Sequence, residues 1–421
     1  MEYWPAYMGS DKRIGFFAKH IAETADVSIV VYPPLRILAG YVESETAQTL
    51  LRPHLANAAT NPDQPTVHYV KIPRLLPMLW KKNAAIAYVL TLLVCFFRSI
   101  KIFSTLSPDI MVLGHPSYLC GVLGMIQARI TRRRLVLDYP DPWTELTVET
   151  MGWSQHSLRS TLLRGLETLV VKAADVVVCA SGPIARLAVR MRRKPATVHV
   201  IPNGVDTRTF DPDKYALESS NLDKSDRPAE RTVVFVGRIE KWSGVETLVN
   251  AAEISVRSRP DVKFLLVGDG LERKKIESLI SGKGLNSNIH LTGFRAPEDI
   301  PKILVASDVA ILTIGNSPLS NMISPLKLFE YMAMGKPLVV TDTESVRELV
   351  KNGRNGMLVD TEDSGKVSAA ILSLLDNPSL ATEMGRRAKE SIVPSYSWTS
   401  LAARFFEICQ PSVNGSADDA A

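Results

Sequence analysis

Short apolar runs alternate along this chain with longer stretches whose apolar positions recur every three or four residues. These are the signatures of buried strands and of helices packed on them. Asp11 to Thr24 reads as a helix and Val27 to Tyr32 as a strand. Thr66 to Ile72 follows as a strand, Lys82 to Phe103 as a helix, Asp109 to Leu113 as a strand, Tyr118 to Ile130 as a helix and Arg134 to Leu137 as a strand. Leu158 to Ala173 is helical again, and strands at Val176 to Ala180 and Val198 to Ile201 flank a helix near Pro183 to Met191. Such alternation implies a parallel sheet covered on both faces. A doubly wound sheet would place a central strand ahead of the first helix; almost nothing before Gly9 could supply it, which points to a misplaced start or an atypical edge.

Asn203 to Arg231 breaks the pattern with polar D-P-D-K, E-S-S-N and K-S-D-R-P-A-E-R segments and reads as a linker. A second series follows: strand Thr232 to Val236, helix Gly244 to Arg257, strand Lys263 to Val267, helix Glu272 to Gly282, strand Ile289 to Thr292, helix Ile300 to Ala306 and strand Val309 to Ile314. Helices at Val367 to Leu375, Leu380 to Ser391 and Trp398 to Cys409 close it. A chain of 421 residues suits two domains of about 200 residues rather than one core. The expected fold class is therefore α/β, with two Rossmann-like parallel-sheet domains facing each other. An N-terminal domain spans residues 1–202, a linker 203–231, a C-terminal domain 232–392, a crossover helix 393–410 and a disordered tail 411–421.

Hydrophobic content of 46% and charged content of 22% are those of a folded globular protein. The net charge of +5 is unevenly spread: Met1 to Val205 holds 23 Lys and Arg against 14 Asp and Glu, and the remainder 26 against 30. The basic half could meet an anionic membrane surface or a phosphate-bearing substrate; a solvated surface is the alternative. Ala84 to Phe97 gives 14 apolar or near-apolar residues bracketed by Lys81, Lys82 and Arg98, short of the about 20 needed to span a bilayer. A buried core helix or one lying at a membrane interface both fit, and Leu75, Leu76, Met78 and Trp80 just before it would strengthen docking. The four cysteines are far apart without metal-ligand spacing, the histidines form no cluster, and Met1 to Ser10 has no signal-peptide pattern. A cytoplasmic setting and no protein-built metal site are expected.

Candidate chemistry concentrates in Ser317 to Asp342, S-P-L-S-N-M-I-S-P-L-K-L-F-E-Y-M-A-M-G-K-P-L-V-V-T-D. Ser324 offers an N-cap oxygen, Pro325 fits the first helical position, Leu326 to Met334 continues as helix and Gly335 stops it. Pro337 to Thr341 reads as a buried strand, so the helix begins in a loop at the carboxyl end of the preceding strand, where α/β sheets bind ligands. Free N–H groups and the helix dipole suit a diphosphate; Lys327 adds charge, and Glu330 could accept hydrogen bonds from a ribose diol. An ordinary amphipathic helix with Lys327 and Glu330 on its wet face is the alternative reading. Elsewhere, His115, Asp138 and Asp141 follow predicted strands, the two Asp within D-Y-P-D-P-W. A plain turn rich in Asp and Pro is the competing explanation there.

Several signatures occur together in order: I-P-N-G-V-D (Ile201 to Asp206), V-F-V-G-R-I (Val234 to Ile239), L-L-V-G-D-G (Leu265 to Gly270), L-T-G-F (Leu291 to Phe294) and S-P-L-K-L-F-E-Y-M-A-M-G-K-P. Jointly they resemble glycosyltransferase family 4, closely in the second half and loosely in the first. The resemblance implies the GT-B fold, a nucleoside-diphosphate sugar bound mainly by the C-terminal domain, and transfer with retention at the anomeric carbon. A leaving diphosphate needs its developing charge stabilised, and metal-free enzymes do so with cations and helix dipoles.

By that resemblance Arg238 and Lys241 form the diphosphate clamp, with Lys327 as a third cation. Ser243 stands where the family usually has Lys, so Lys241 would have to reach the phosphate from two residues earlier. Glu330 matches the second glutamate of the family's E-x7-E motif and holds the ribose, whereas Met322 replaces the first. The backbone of Ile323 and Ser324 would then cradle phosphate. Gly268, Asp269 and Gly270 form a tight turn at the nucleotide, and Phe294 and Arg295 could border the base, a plain loop with an exposed Arg being the alternative. Gly9 and Ser10 resemble the family's glycine loop before the first helix. Asp141 is the preferred acceptor-side residue, orienting or partly deprotonating an acceptor hydroxyl, with His115 as the other candidate. Tyr396 to Trp398 resembles a late aromatic signature that serves packing and hinge closure.

The expected function is a peripheral membrane glycosyltransferase of the cytoplasm, passing a sugar to an envelope glycan or lipid-linked acceptor. No cofactor beyond the donor, no metal and no nucleic-acid partner are expected. A non-catalytic sugar-nucleotide binder and a sugar-nucleotide epimerase of the same fold are the alternatives. An NAD-dependent oxidoreductase lacks the necessary G-x-G-x-x-G after an early strand.

Overall fold

The structure, a computed structural model, describes residues 9–31, 66–70, 73, 83–114, 120–192, 197–215, 231–360 and 362–411. These form two compact units. The first comprises the described residues of Met1–Ala180, Ile184–Ile201 and Ala402–Ala421, the second those of Ser181–Pro183 and Pro202–Leu401.

In the first unit, α1 (Gly9–Ile21) leads to β1 (Ser28–Val31), which pairs in parallel with β2 (Thr66–Tyr69). Helix α2 (Ala84–Leu106), β3 (Ile110–Leu113), α3 (Cys120–Thr131), β4 (Arg134–Tyr139), α4 (Trp143–Met151), α5 (Leu158–Ala173), β5 (Val176–Cys179), α6 (Gly182–Arg192) and β6 (Val198–Val200) follow. Strands β3-β4-β5-β6 form one parallel sheet in that order. β4 and β5 are apolar on both faces because helices cover both, as the uninterrupted runs Leu135 to Leu137 and Val176 to Val178 require.

Two expectations are corrected here. Gly9 and Ser10 are the first two residues of α1 rather than a loop ahead of it. A helix start demands no intrahelical partner for its first N–H groups, so Gly and Ser are tolerated there. Asp138, expected just after the strand, lies within β4, and Pro142 beyond it is the N-cap of α4. Pro142 has no side-chain oxygen to signal a cap. The first N–H groups of the helix, those of Trp143 and Thr144, are instead satisfied by Glu167, from the next helix. The residues ahead of Gly9, where a doubly wound sheet would have its first strand, and those from Leu75 to Trp80 lie outside the described residues.

The second unit runs β7 (Arg231–Val236), α7 (Val245–Ser258), β8 (Val262–Val267), α8 (Arg273–Gly282), β9 (Ile289–Gly293), α9 (Ile300–Ala306), β10 (Val309–Leu312), α10 (Leu326–Ala333), β11 (Leu338–Thr341), α11 (Glu344–Arg347), β12 (Met357–Val359), α12 (Ser364–Asp376) and α13 (Pro378–Ile392). Helix α14 (Trp398–Cys409) starts in this unit and ends in the first. All strands are parallel in the order β12-β11-β10-β7-β8-β9, so the order reverses between β7 and β10. Alternate strand residues feed two cores: Val233, Phe235, Ile311 and Val339 pack with α7 and α12, and Val234, Val236, Leu312 and Val340 with α9 and α10. The expected linker is partly built structure. Val205 is buried and exchanges backbone hydrogen bonds with Tyr396 and Trp398, and Tyr215 is also buried. Residues 216–230 lie outside the described residues.

Candidate functional site

Because the second sheet is parallel, the loops after β7, β8, β9 and β10 emerge at one edge. Backbone hydrogen bonds tie them together: Gly237 N–H donates to Val267 O (2.9 Å), Ile239 N–H to Asp269 O (3.0 Å) and Gly268 N–H to Gly293 O (2.9 Å). Gly268 has φ of +141°, and a Cβ there would lie 1.8 Å from Gly237 O. Its role is therefore structural, bringing the G-D-G turn against the segment that carries Arg238. On the other side of the reversal, Gly315 N–H donates to Trp242 O (2.6 Å) and Thr313 Oγ1 to Ser243 O (2.8 Å). The loops after β7 and β10 are thus joined where open α/β sheets bind ligands.

Arg238 is exposed and paired with Glu240, Nη2 lying 2.6 Å and Nε 3.2 Å from Oε1. Lys241 is exposed in a short 3₁₀ turn. Ser243 is buried, and its hydroxyl both accepts from Glu240 N–H and donates to Glu240 O. The serine caps the turn, so Lys241 is the cation this turn presents. Phe294 and Arg295 are both exposed just after β9.

Helix α10 corrects the N-cap expectation. Pro325, extended at φ −72° and ψ 122°, occupies the N-cap, and Ser324 makes no capping bond. With its ψ in the extended region Pro325 cannot serve as the first helical residue, and the helix starts at Leu326. The helix proper ends at Ala333, one residue earlier than expected, with Met334 as its C-cap and Gly335 left-handed beyond it. Ile323 is also corrected as a phosphate cradle: its N–H donates to Leu319 O (3.2 Å) inside the preceding turn. The N–H groups of Ser324, Leu326 and Lys327 donate to no acceptor among the described residues. Asn203 Nδ2, from the I-P-N-G-V-D segment, donates to Ser324 O (2.6 Å) and Ser345 Oγ to Ile323 O (2.6 Å), which fixes this strand of backbone. Glu330 is buried rather than on a wet face, and accepts from Lys327 Nζ at 2.7 Å. Tyr331 locks the helix onto β7, its hydroxyl accepting from Val236 N–H at 2.7 Å. The result is an anion-ready helix start with a cation and a carboxylate within its first turns.

A separate cluster lies at the carboxyl end of β4 in the first unit. Arg13 Nε lies 3.0 Å from both carboxylate oxygens of Asp138, and neither side chain has exposed surface. The Arg13 guanidinium also lies over the Phe17 ring at 4.8 Å, and Phe17 stacks on Phe405. Burial raises the Asp138 carboxyl above its usual range, with Arg13 opposing. Asp141 is half-buried beside the pair. Burial pushes it up to about 6; Arg13 pulls it down and the Asp138 charge adds to the rise. Glu167 holds the intervening loop, accepting from Tyr139 Oη (2.8 Å), Trp143 N–H (2.9 Å) and Thr144 N–H (3.3 Å). Asp141 is thereby presented from a braced loop as a carboxyl able to exchange a proton near neutrality.

Sequence reasoning overlooked Arg13, Glu167 and Asn203 as functional supports. The first two had a signal: each is a charge on the apolar face of its helix, Arg13 one turn before Phe17 and Glu167 beside Val170 and Val171. His115 lies outside the described residues. Among the described residues, no group of three or more His, Cys, Asp or Glu could hold a metal ion.

Two glycosyltransferase family models match successive parts of the chain. The family described as glycosyl transferases group 1 matches residues 220–391, and the glycosyl transferase 4-like domain matches residues 13–204. The alpha-D-kanosaminyltransferase of Streptomyces kanamyceticus is 28% identical over 293 residues, 67% of this chain and 70% of that protein. The lipopolysaccharide core biosynthesis glycosyltransferase LpsE of Rhizobium meliloti is 30% identical over 186 residues, 44% of this chain and 52% of its own. Anabaena Alr3699/HepE, solved in complex with UDP and glucose, superposes with a TM-score of 0.68 at 20% identity, covering 95% of each chain.

Proposed function

This chain belongs to the group 1 glycosyltransferases of family 4 and has their GT-B fold, and we propose that it moves a sugar, with retention, from a nucleoside diphosphate to an envelope glycan or lipid-linked acceptor. That it is a glycosyltransferase using a nucleotide sugar follows from the family; the stereochemistry, the acceptor and a cytoplasmic place of work are the proposal. The observation that carries the donor site is the start of α10, where three unpartnered N–H groups, Lys327 and the buried Glu330 converge. Arg238 and Lys241 supply the charge that a leaving diphosphate requires, and Glu330 receives the ribose diol. For that, Lys327 and Arg238 must exchange their present carboxylate partners for phosphate oxygens. Asp141 is the acceptor-side residue: ionised above about pH 6, it orients or partly deprotonates the incoming hydroxyl. An envelope acceptor is supported by the lipopolysaccharide core enzyme among the relatives.

The test is a thermal-shift titration with UDP-, GDP- and ADP-sugars on the wild type, Glu330→Ala and Arg238→Ala. One donor should raise the melting temperature of the wild type and fail to raise that of either variant. Stabilisation of both variants equal to that of the wild type would remove this donor site. Product stereochemistry by NMR with the identified donor decides retention.

A further inference from the structure

Helix α2 is built inside out. Its protein-facing line is Ala87, Thr91, Cys95 and Ser99, all fully buried. Thr91 and Ser99 return their hydroxyl hydrogens to the carbonyls one turn back, and Gln127 of α3 donates to Ser99. The large apolar side chains point outward instead: Ile86, Val89, Leu90, Leu93 and Phe97 are all exposed, Phe97 by 66%. A water-soluble amphipathic helix has the opposite arrangement. Small and weakly polar residues inward with bulky apolar residues outward is the pattern of helices that meet lipid.

The neighbouring helices extend this face. α3 packs against both α2 and α5, and its Val122, Met125 and Ile126 are only partly covered. On α5, Leu158, Leu162, Leu166 and Leu169 form an exposed stripe at helical spacing, Leu158 being 75% and Leu162 60% exposed. Single exposed leucines are ordinary, whereas four at helical spacing, one helix removed from the inverted α2, make an interaction surface.

Charge selects the occupant. The three helices carry exposed Arg98, Lys101, Arg129, Arg159 and Lys172, and their sole acidic residue, Glu167, is buried. A second copy docked on this face would bring cation against cation. An anionic lipid leaflet instead satisfies the apolar stripe and the cations together. Val89–Leu106 is long and apolar enough to cross a membrane by length and composition. Its packed line against α3 and the exposed Arg98 and Lys101 within it suit a helix lying along the surface. We propose that the outer face of α2, α3 and α5 docks the first unit on an anionic membrane surface, with the apolar side chains in the headgroup boundary.

The test is co-sedimentation of the full chain with phosphatidylcholine vesicles, with and without phosphatidylglycerol, at low and high salt. No sugar donor or acceptor is present, so the result is independent of the proposed transfer reaction. Wild type should bind the anionic vesicles, weakly the neutral ones, and dissociate at high salt. The Leu162→Glu/Leu166→Glu variant should lose binding, and Arg159→Gln and Lys172→Gln should each weaken it roughly five-fold. The substituted positions are exposed, and circular dichroism verifies that each variant is folded. Failure of the wild type to sediment with anionic vesicles overturns the proposal, as does binding unaffected by the leucine substitutions. A dimer in sedimentation velocity that those substitutions abolish, without vesicle binding, would assign the face to a second copy and overturn it equally.

Discussion

Replacing Arg13 with methionine would strand Asp138 in the core of the first unit. Both side chains are wholly buried, and no other cation is placed against Asp138 among the causes that set its titration. Removing one partner of a buried ion pair costs about 3–5 kcal/mol while the other stays charged. The carboxyl can limit that cost by holding a proton. Starting from an ordinary value of 3.8, each pH unit above it costs about 1.4 kcal/mol, hence about 4 kcal/mol at pH 7 and about 1.6 kcal/mol at pH 5. The folded variant then holds a proton that its unfolded chain releases, so its stability falls steadily as pH rises. In the wild type that fall stops once Asp138 ionises against Arg13, so the gap between the two proteins widens toward alkaline pH. At pH 7 the melting transition of this unit should drop by roughly 10 °C. Thermal and urea unfolding at pH 5 to 8 measure this for the wild type, Arg13→Met and Arg13→Met/Asp138→Asn. Lost packing on Phe17 contributes a constant deficit, and the double variant should lose part of the pH slope. A deficit equal at every pH, or a double variant as steep as the single, would refute the buried-charge reasoning.

The carboxyl of Asp141 carries the same sign of linkage. Its folded value is raised from 3.8 to about 6, so the wild type loses stability as pH rises through that window and levels above it. Asp141→Asn should match the wild type near pH 4 and melt higher at pH 7, while losing the transfer activity that in the wild type rises through about pH 6. Parallel melting curves across this range would count against the assignment. In the second unit, Gly268→Ala should cost about 3 kcal/mol or more, since its Cβ would lie 1.8 Å from Gly237 O. Gly284→Ala, also left-handed but with nothing within 4 Å, should cost only about 1–2 kcal/mol in urea unfolding.

Periodicity located the parallel strands and the long helices because each buries a face whose spacing is written into the chain. Leu158–Ala173, Ile300–Ala306 and Trp398–Cys409 have the bounds the pattern implies. Elements that depend on distant partners were not legible. The α4 start is satisfied by Glu167 from another helix, and α11 and β12, of four and three residues, are too short to show a period. The split of roles within S-P-L-K-L-F-E-Y was partly legible. Lys327 and Glu330 were marked by type and spacing, whereas the loss of the Ile323 N–H to Leu319 depends on how the preceding turn closes.

Local chemistry along the chain determines the elements, the glycine turns and the family motifs, since each rests on neighbours a few residues apart. Only tertiary structure decides which charges are buried and paired. Arg13 and Asp138 stand 125 positions apart, and nothing near either residue shows that they meet. The strand order that reverses between β7 and β10 is likewise a product of packing, because parallel strands are joined by crossovers whose direction the local pattern does not encode. The same holds for the outward face of α2: its apolar residues were visible in order, but that they point away from the protein follows from the packing of Ala87, Thr91, Cys95 and Ser99 inward.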